Sequence, residues 1–167
     1  TPMIPDGVDI DDLSRQLAED SVAFGSFMPV EQVSSLEPGL IDAVSHAEQS
    51  GFGSLGVVVL EHTPPHTPDL RDVAQDLLLG TDVDTVIVRA PESGAIVSDV
   101  HSRGAIEAAQ YPFLGNPDIV GGVFGFIDDV NGWSVNWPLA LVLIAVTLAA
   151  VGGATAWAVR GRSSLRA

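Results

Sequence analysis

Apolar and polar positions alternate along this chain with two different periods, and the changes of period mark out its elements. Asp9 is placed to cap a helix that runs to about Asp20, with Ile10, Leu13 and Leu17 on one face. Ser21 to Ser35 mixes Gly25, Pro29 and phenylalanines and reads as a connecting loop. A second helix covers about Leu36 to Gln49, turning Leu40, Ile41, Val44 and Ala47 inward, and Gly51 stops it. Leu55 to Leu60 is a continuous apolar run and predicts a buried strand. The Pro-rich stretch Thr63 to Pro68 is a loop, in which Thr67 and Pro68 supply a cap and a first helical position. The helix beyond buries Leu70, Val73, Ala74, Leu77 and Leu78, and Gly80 ends it. Thr85 to Pro91 predicts a second buried strand, Pro91 to Gly94 a turn, and Ala95 to Ser98 a short hairpin partner. Asp99 to Gln110 reads as a last helix, capped by Ser98 or Asp99. Strands separated by a helix favour a parallel pair with a right-handed crossover, so the expected fold class is a small α/β layer.

The pattern then changes twice. From 111 to 137 the chain is rich in Gly and apolar residues. Ile119, Val120, Val123, Ile127 and Val130 repeat at helical spacing, but Gly121, Gly122 and Gly125 each weaken a helix by up to ~1 kcal/mol relative to Ala. Two readings stay open: a flexible linker, or a helix on the membrane or a partner that shelters Phe124 and Phe126. Next, Pro138 to Val159 runs 22 residues without a charge. At ~1.5 Å per residue such a helix spans about 33 Å, enough to cross a hydrocarbon core of about 30 Å. Trp133 and Trp137 flank one end and Trp157 lies near the other, where indoles favour the membrane interface. The expected organisation is a domain at 1–110, a juxtamembrane segment at 111–137, a transmembrane helix at 138–159 and a tail at 160–167.

Charge orients the span. All 22 Asp and Glu precede Pro138, against Arg15, Arg71, Arg89 and Arg103, a formal −18 for that region. The remaining arginines, Arg160, Arg162 and Arg166, follow the span. The positive-inside rule then places the tail in the cytoplasm and the acidic domain outside, in the plasma membrane. The rival is a tail-anchored protein with a cytoplasmic domain. The visible N-terminus has neither a basic nor an apolar leader region, so translocation needs either a leader removed before Thr1 or the span itself. A nucleic-acid surface needs the opposite sign of charge, so DNA and RNA are excluded as partners of the main domain. The chain has no Cys, which excludes disulfides, thiol catalysis and thiolate metal sites.

Candidate chemistry is sparse. Glu61, His62 and His66 offer metal-ligand types, but the prolines between them forbid the helix that would align the two histidines. Ser98, Asp99 and His101 are the residue types of a hydrolase triad, yet sequence neighbours rarely converge so and no Gly-x-Ser-x-Gly elbow surrounds Ser98. Asp9, Asp11 and Asp12 lack the Gly and distal Glu of a calcium loop. Arg103 and Glu107, four apart, suit a surface pair. No catalytic, cofactor or metal residue is therefore assigned. Within the span, Ala145, Ala149 and Gly153 form one small-residue stripe and Gly152 and Ala156 a second, which suits close packing on another helix.

The segments DGVDIDDLSRQLAED, VVVLEHTP, LRDVAQDLL, DTVIVRAP and VSDVHSRGAIEAAQ, followed by a span, resemble a family of small actinobacterial single-pass membrane proteins. Their soluble part is similar to the TPM domain, an α/β module found outside bacterial membranes and in the thylakoid lumen. The resemblance implies a TPM-like layered domain plus one C-terminal transmembrane helix. It also implies a non-catalytic accessory subunit, with no cofactor of its own, of a membrane complex embedded in lipid: the respiratory supercomplex of cytochrome bc and cytochrome oxidase. Some TPM-like proteins are credited with weak phosphatase activity, so an extracytoplasmic phosphatase stays open beside it. An adaptor for cell-envelope enzymes stays open as well.

Overall fold

The computed structural model describes residues 4–133, 142 and 144–150. The chain divides into two compact units, Thr1–Trp133 and Ser134–Ala167.

In the first unit, helix α1 (Ile10–Asp20) starts where Asp9 accepts the Asp12 N–H, and it ends where Ser21 turns left-handed at φ 66°. That turn leads directly into strand β1 (Val22–Phe24), inside the stretch read as loop. Three residues are too short for any period to show, and the strand is held by neighbours rather than by its own pattern. Helix α2 (Val30–Gln49) begins six residues earlier than its periodicity predicts and carries Pro38 within it. Pro38 has no N–H to give the fourth carbonyl back, which belongs to Ser34, yet the helix runs through because its second half is anchored by Leu40, Ala43, Val44 and Ala47.

Strand β2 (Leu55–Val59), helix α3 (Asp69–Gly80), strand β3 (Thr85–Arg89) and strand β4 (Gly94–Ser98) follow. They match the predicted runs to within a residue or two. Helix α4 (Arg103–Gly115) is capped by Ser102, which accepts the Ala105 N–H at 3.2 Å, and not by Ser98 or Asp99. It extends five residues past Gln110, so the boundary placed at 110 falls inside a helix. Helix α5 (Ile119–Gly132) is capped by Asp118. It is a helix and not a linker, and it rests on the domain's own core. Gly122, Val123, Phe126, Ile127 and Val130 are buried against the domain's own core. The apolar spacing outweighs the glycine cost because each buried side chain contributes about 1.5–3 kcal/mol. Gly39 of α2 permits the contact: a Cβ there would meet Val120 Cγ1 at 2.8 Å.

The sheet has the order β1-β2-β3-β4, with β1, β2 and β3 parallel and β4 antiparallel to β3. Alternate residues divide into two cores. Val22, Phe24, Val57, Val59, Ile87 and Ile96 face α2, α4 and α5. Ala23, Val58, Val86, Val88, Ala95 and Val97 face α1 and α3. The result is a three-layer α/β/α sandwich. The crossovers through α2 and α3 step the same way along the sheet but pass on opposite faces, so they have opposite hands. The right-handed expectation therefore holds for one of them only, and the other is a left-handed exception to a strong preference.

In the second unit, residue 142 and residues 144–150 are helical, with Val142, Ile144, Val146 and Leu148 all exposed. Among the described residues no helix is long and apolar enough to cross a membrane. Most of the span expected at 138–159 lies outside the described residues. So do Trp137, Gly152, Gly153, Ala156, Trp157, Arg160, Arg162 and Arg166. Ala145 and Ala149 lie in the described helical stretch and are exposed. Trp133 closes α5, its N–H donating to Val130 O, and its ring lies against Gly104 of α4.

Candidate functional site

The two ends of the sheet are finished differently. At the end where β2 and β3 begin, a polar network closes the layer. Asp84 Oδ2 accepts from the Ser54 N–H at 3.0 Å and the Ser54 hydroxyl at 2.8 Å, and Ser54 Oγ accepts the Asp84 N–H at 2.9 Å. The Ser54 hydroxyl bond, then its N–H, lower the Asp84 pKa below 3.8; burial opposes them and the nearby His101 adds to them. A depressed carboxyl pKa stabilises the fold above the unfolded value, and that contribution is lost as pH falls through the folded value. Asp84→Asn is therefore expected to lower stability by roughly 1 kcal/mol at pH 7. The deficit narrows as pH drops below 3.8. Urea midpoints of both proteins at pH 7 and pH 3 check this.

Ser98 and His101 belong to the same network, and the His101 ring meets a backbone carbonyl. Ser98 Oγ lies 2.8 Å from Thr85 Oγ1 and accepts the N–H groups of Val100 and His101. His101 Nε2 is 2.8 Å from the Phe52 carbonyl. A carbonyl can only accept, so Nε2 holds the proton and is not a free base. Asp99 hydrogen-bonds through its backbone N–H to Asp84 O, continuing the β3–β4 ladder. The sequence offered the right residue types, and the fold uses them as joints.

At the other end, where β1 and β2 finish, a cleft of about 590 Å³ opens. Three separate segments build it: the chain before α1, the β1–α2 loop and the β2–α3 loop. In α/β sheets this carboxyl end is where ligands bind. Glu61 projects into it, with Oε2 buried and without a hydrogen-bond partner among the described residues. Gly25 makes the room, since a Cβ there would come within 1.9 Å of Glu61 Oε2. His62 Nδ1 lies 3.9 Å from Glu61 Oε1, on a side chain 83% exposed, and His66 is exposed too. Asp6, Asp9 and Asp69 complete the acidic rim. Among the described residues no three His, Asp or Glu converge as a metal site. Asp9 and Asp12 are engaged at the start of α1, Asp9 as the cap and Asp12 in bonds from Arg15 and Gln16. Arg103 Nε donates to Glu107 at 2.6 Å on the surface of α4.

Arg89 was not singled out by its sequence context. It ends β3 and is only 6% exposed. Its guanidinium donates to Ala90 O, Ser93 O and Leu114 O, over the Phe113 ring at 5.8 Å. Burial pushes its pKa down. It ties the β3–β4 turn to the end of α4. One signal pointed to it: an arginine closing an otherwise apolar strand.

The family model for membrane protein Rv1476 matches residues 3–167 of this chain. Membrane protein Rv1476 of Mycobacterium tuberculosis is 32% identical over 165 residues, covering 96% of this chain and 82% of that protein. Among solved structures, the N-terminal domain of the cg2496 protein from Corynebacterium glutamicum aligns with a TM-score of 0.49 at 16% identity, over 68% of this chain and 78% of that one. On the extent of the family match and the identity to its mycobacterial relative, the chain belongs to the Rv1476 family of membrane proteins.

Proposed function

We propose that this membrane protein is a non-catalytic, single-pass accessory subunit of the actinobacterial respiratory supercomplex in which cytochrome bc and cytochrome oxidase associate. It acts in assembly or stability, with a TPM-like domain outside the membrane and the tail bearing Arg160, Arg162 and Arg166 inside. The observation that carries the non-catalytic reading is the commitment of Ser98, His101 and Asp84 to backbone and hydroxyl partners that hold the fold. The cleft supports it as well. The residues lining it include Asp6, Asp9, Glu61 and Asp69 and no arginine, a lining that repels a phosphate ester. Exposed Val142, Ile144, Val146 and Leu148 occupy more than one face of the described stretch, which suits a lipid or helix environment.

The test uses the tagged full-length chain in its native membrane. Deleting the gene is expected to lower the yield of intact supercomplex on native gels more than turnover per remaining oxidase. Single cysteines in the same tagged chain read its orientation: Ser50→Cys labels with an impermeant reagent in intact spheroplasts and Ser164→Cys does not. Unchanged supercomplex yield, with only envelope hydrolases brought down by the tag, replaces this reading with the adaptor. Hydrolysis of a phosphate ester at an enzyme-like rate, lost in Glu61→Gln, replaces it with the enzyme.

A further inference from the structure

The two edges of the sheet are treated unequally. At β1 the ladder bonds Gly25 N–H to Val59 O and Val57 N–H to Ser21 O, both 2.9 Å, turn Val22 and Phe24 outward. The Val22 N–H and both Phe24 groups are closed by side chains. Asp20 Oδ1 takes the Val22 N–H at 3.1 Å, and the Gln16 carboxamide both accepts the Phe24 N–H at 3.0 Å and donates to Phe24 O at 3.1 Å. The amide of Gln16 thus stands in for a neighbouring strand. Exposed edges invite pairing, and this one is blocked.

The β4 edge has no such caps among the described residues, and Ile96, 3% exposed, lies at the floor of a recess. Asp99 N–H donates to Asp84 O at 3.0 Å and Ala90 N–H to Ser93 O at 2.8 Å. With Val86 opposite Val97 and Val88 opposite Ala95 between them, Gly94, Ile96 and Ser98 turn their N–H and C=O groups away from β3. No strand among the described residues lies along that side. Instead a recess of about 250 Å³ runs there, lined by Ile96 and Val97, whose side chains enter opposite cores, and by Arg71 of α3 and Arg103 of α4. The recess therefore follows the strand edge itself, in a slot between two helices. Its charge is out of keeping with the domain. Of the four arginines before the span, Arg89 is buried and Arg15 pairs with Asp12, and the other two are here. Arg71 makes no ion pair among the described residues, while Arg103 shares its charge with Glu107.

We propose that the β4 edge is a docking site for an extended acidic segment of a partner protein, which adds to the sheet as a further strand with its carboxylates beside Arg71 and Arg103. Main-chain bonds to Gly94, Ile96 and Ser98 supply affinity, and the two arginines select sign. A second copy of the chain is a poor occupant, because two such acidic domains repel and each brings arginine to arginine. The identity of the partner as a subunit of the membrane complex rests on the accessory reading; the docking edge does not.

The test titrates the full-length chain in mild detergent with a labelled heptapeptide of alternating Glu and Val, and with its Lys counterpart. The Glu peptide is expected to bind about tenfold tighter, from two exposed ion pairs. It slows amide exchange at residues 94–98. In the double variant Arg71→Glu, Arg103→Glu, whose exposed changes leave the circular dichroism spectrum intact, the preference disappears, whereas Arg15→Glu keeps it. Equal binding of the two peptides, or no protection at 94–98, overturns the proposal. So does a concentration-dependent dimer that protects 94–98, which gives the edge to a second copy. The titration reads the edge whatever happens to supercomplex yield, so either idea can fail alone.

Discussion

Phe126→Ala is expected to cost the N-terminal unit about 3–5 kcal/mol, a large part of the stability of a domain this size. Phe126 is 1% exposed on α5, with ring centroids 6.0 Å from Phe52 and 5.8 Å from Phe113. Few surrounding groups can close the void, because Phe52 and Phe113 are held by separate parts of the chain. Phe124, two residues away, is only partly buried, resting against His46 at 5.2 Å. Its truncation is expected to cost about 1 kcal/mol, the scale of one partly buried side chain. Urea unfolding of the full-length variants in mild detergent measures both. Equal, small losses would mean that α5 does not belong to this core.

Arg89→Ala is the second large effect, about 3 kcal/mol or more. The cause is not a lost ion pair, since the guanidinium faces carbonyls and a ring. Removing it leaves Ala90 O and Leu114 O without that donor, while Ser93 O keeps the Ala90 N–H. An unpaired buried group costs about 1–3 kcal/mol. Arg89→Met refills the volume without restoring a donor and is expected to recover little. Arg89→Lys restores a cation but not the planar fork that reaches three oxygens, and falls between. The same unfolding assay ranks the four proteins. A methionine variant as stable as the parent would show that packing alone matters there.

These two sites also separate what could be read from the chain and what could not. The strands β2 and β3 and the helix α3 were legible because each is buried along its own length, so one local pattern records it. Phe126 sits in a stretch where glycines hide a helix that only tertiary packing stabilises. Strand β1 was illegible for a related reason: its outward hydrogen bonds come from Asp20 and Gln16, and no periodicity encodes a side chain that substitutes for a strand. The predicted start of α2 falls at Leu36 because Gly25, Pro29 and the phenylalanines before it give Ser21 to Ser35 the look of a loop. The cleft gathers three segments far apart in sequence, so Glu61 and the Gly25 that admits it carry no shared motif. The chain shows Ser98 and His101 only as residue types. Their actual partners, Thr85 and the Phe52 carbonyl, follow only from the register of the sheet.

The unequal edges also set a limit on disorderly growth. Filaments and fibres built by sheet addition need two sticky borders, so that each new copy offers its far side to the next. Here Gln16 and Asp20 seal one border. Accidental pairing of β4 with β4 would bury the one uncapped sheet border among the described residues of both copies and stop at two. A protein crowded at a membrane surface can thus keep one border available for recognition without becoming a seed for polymerisation.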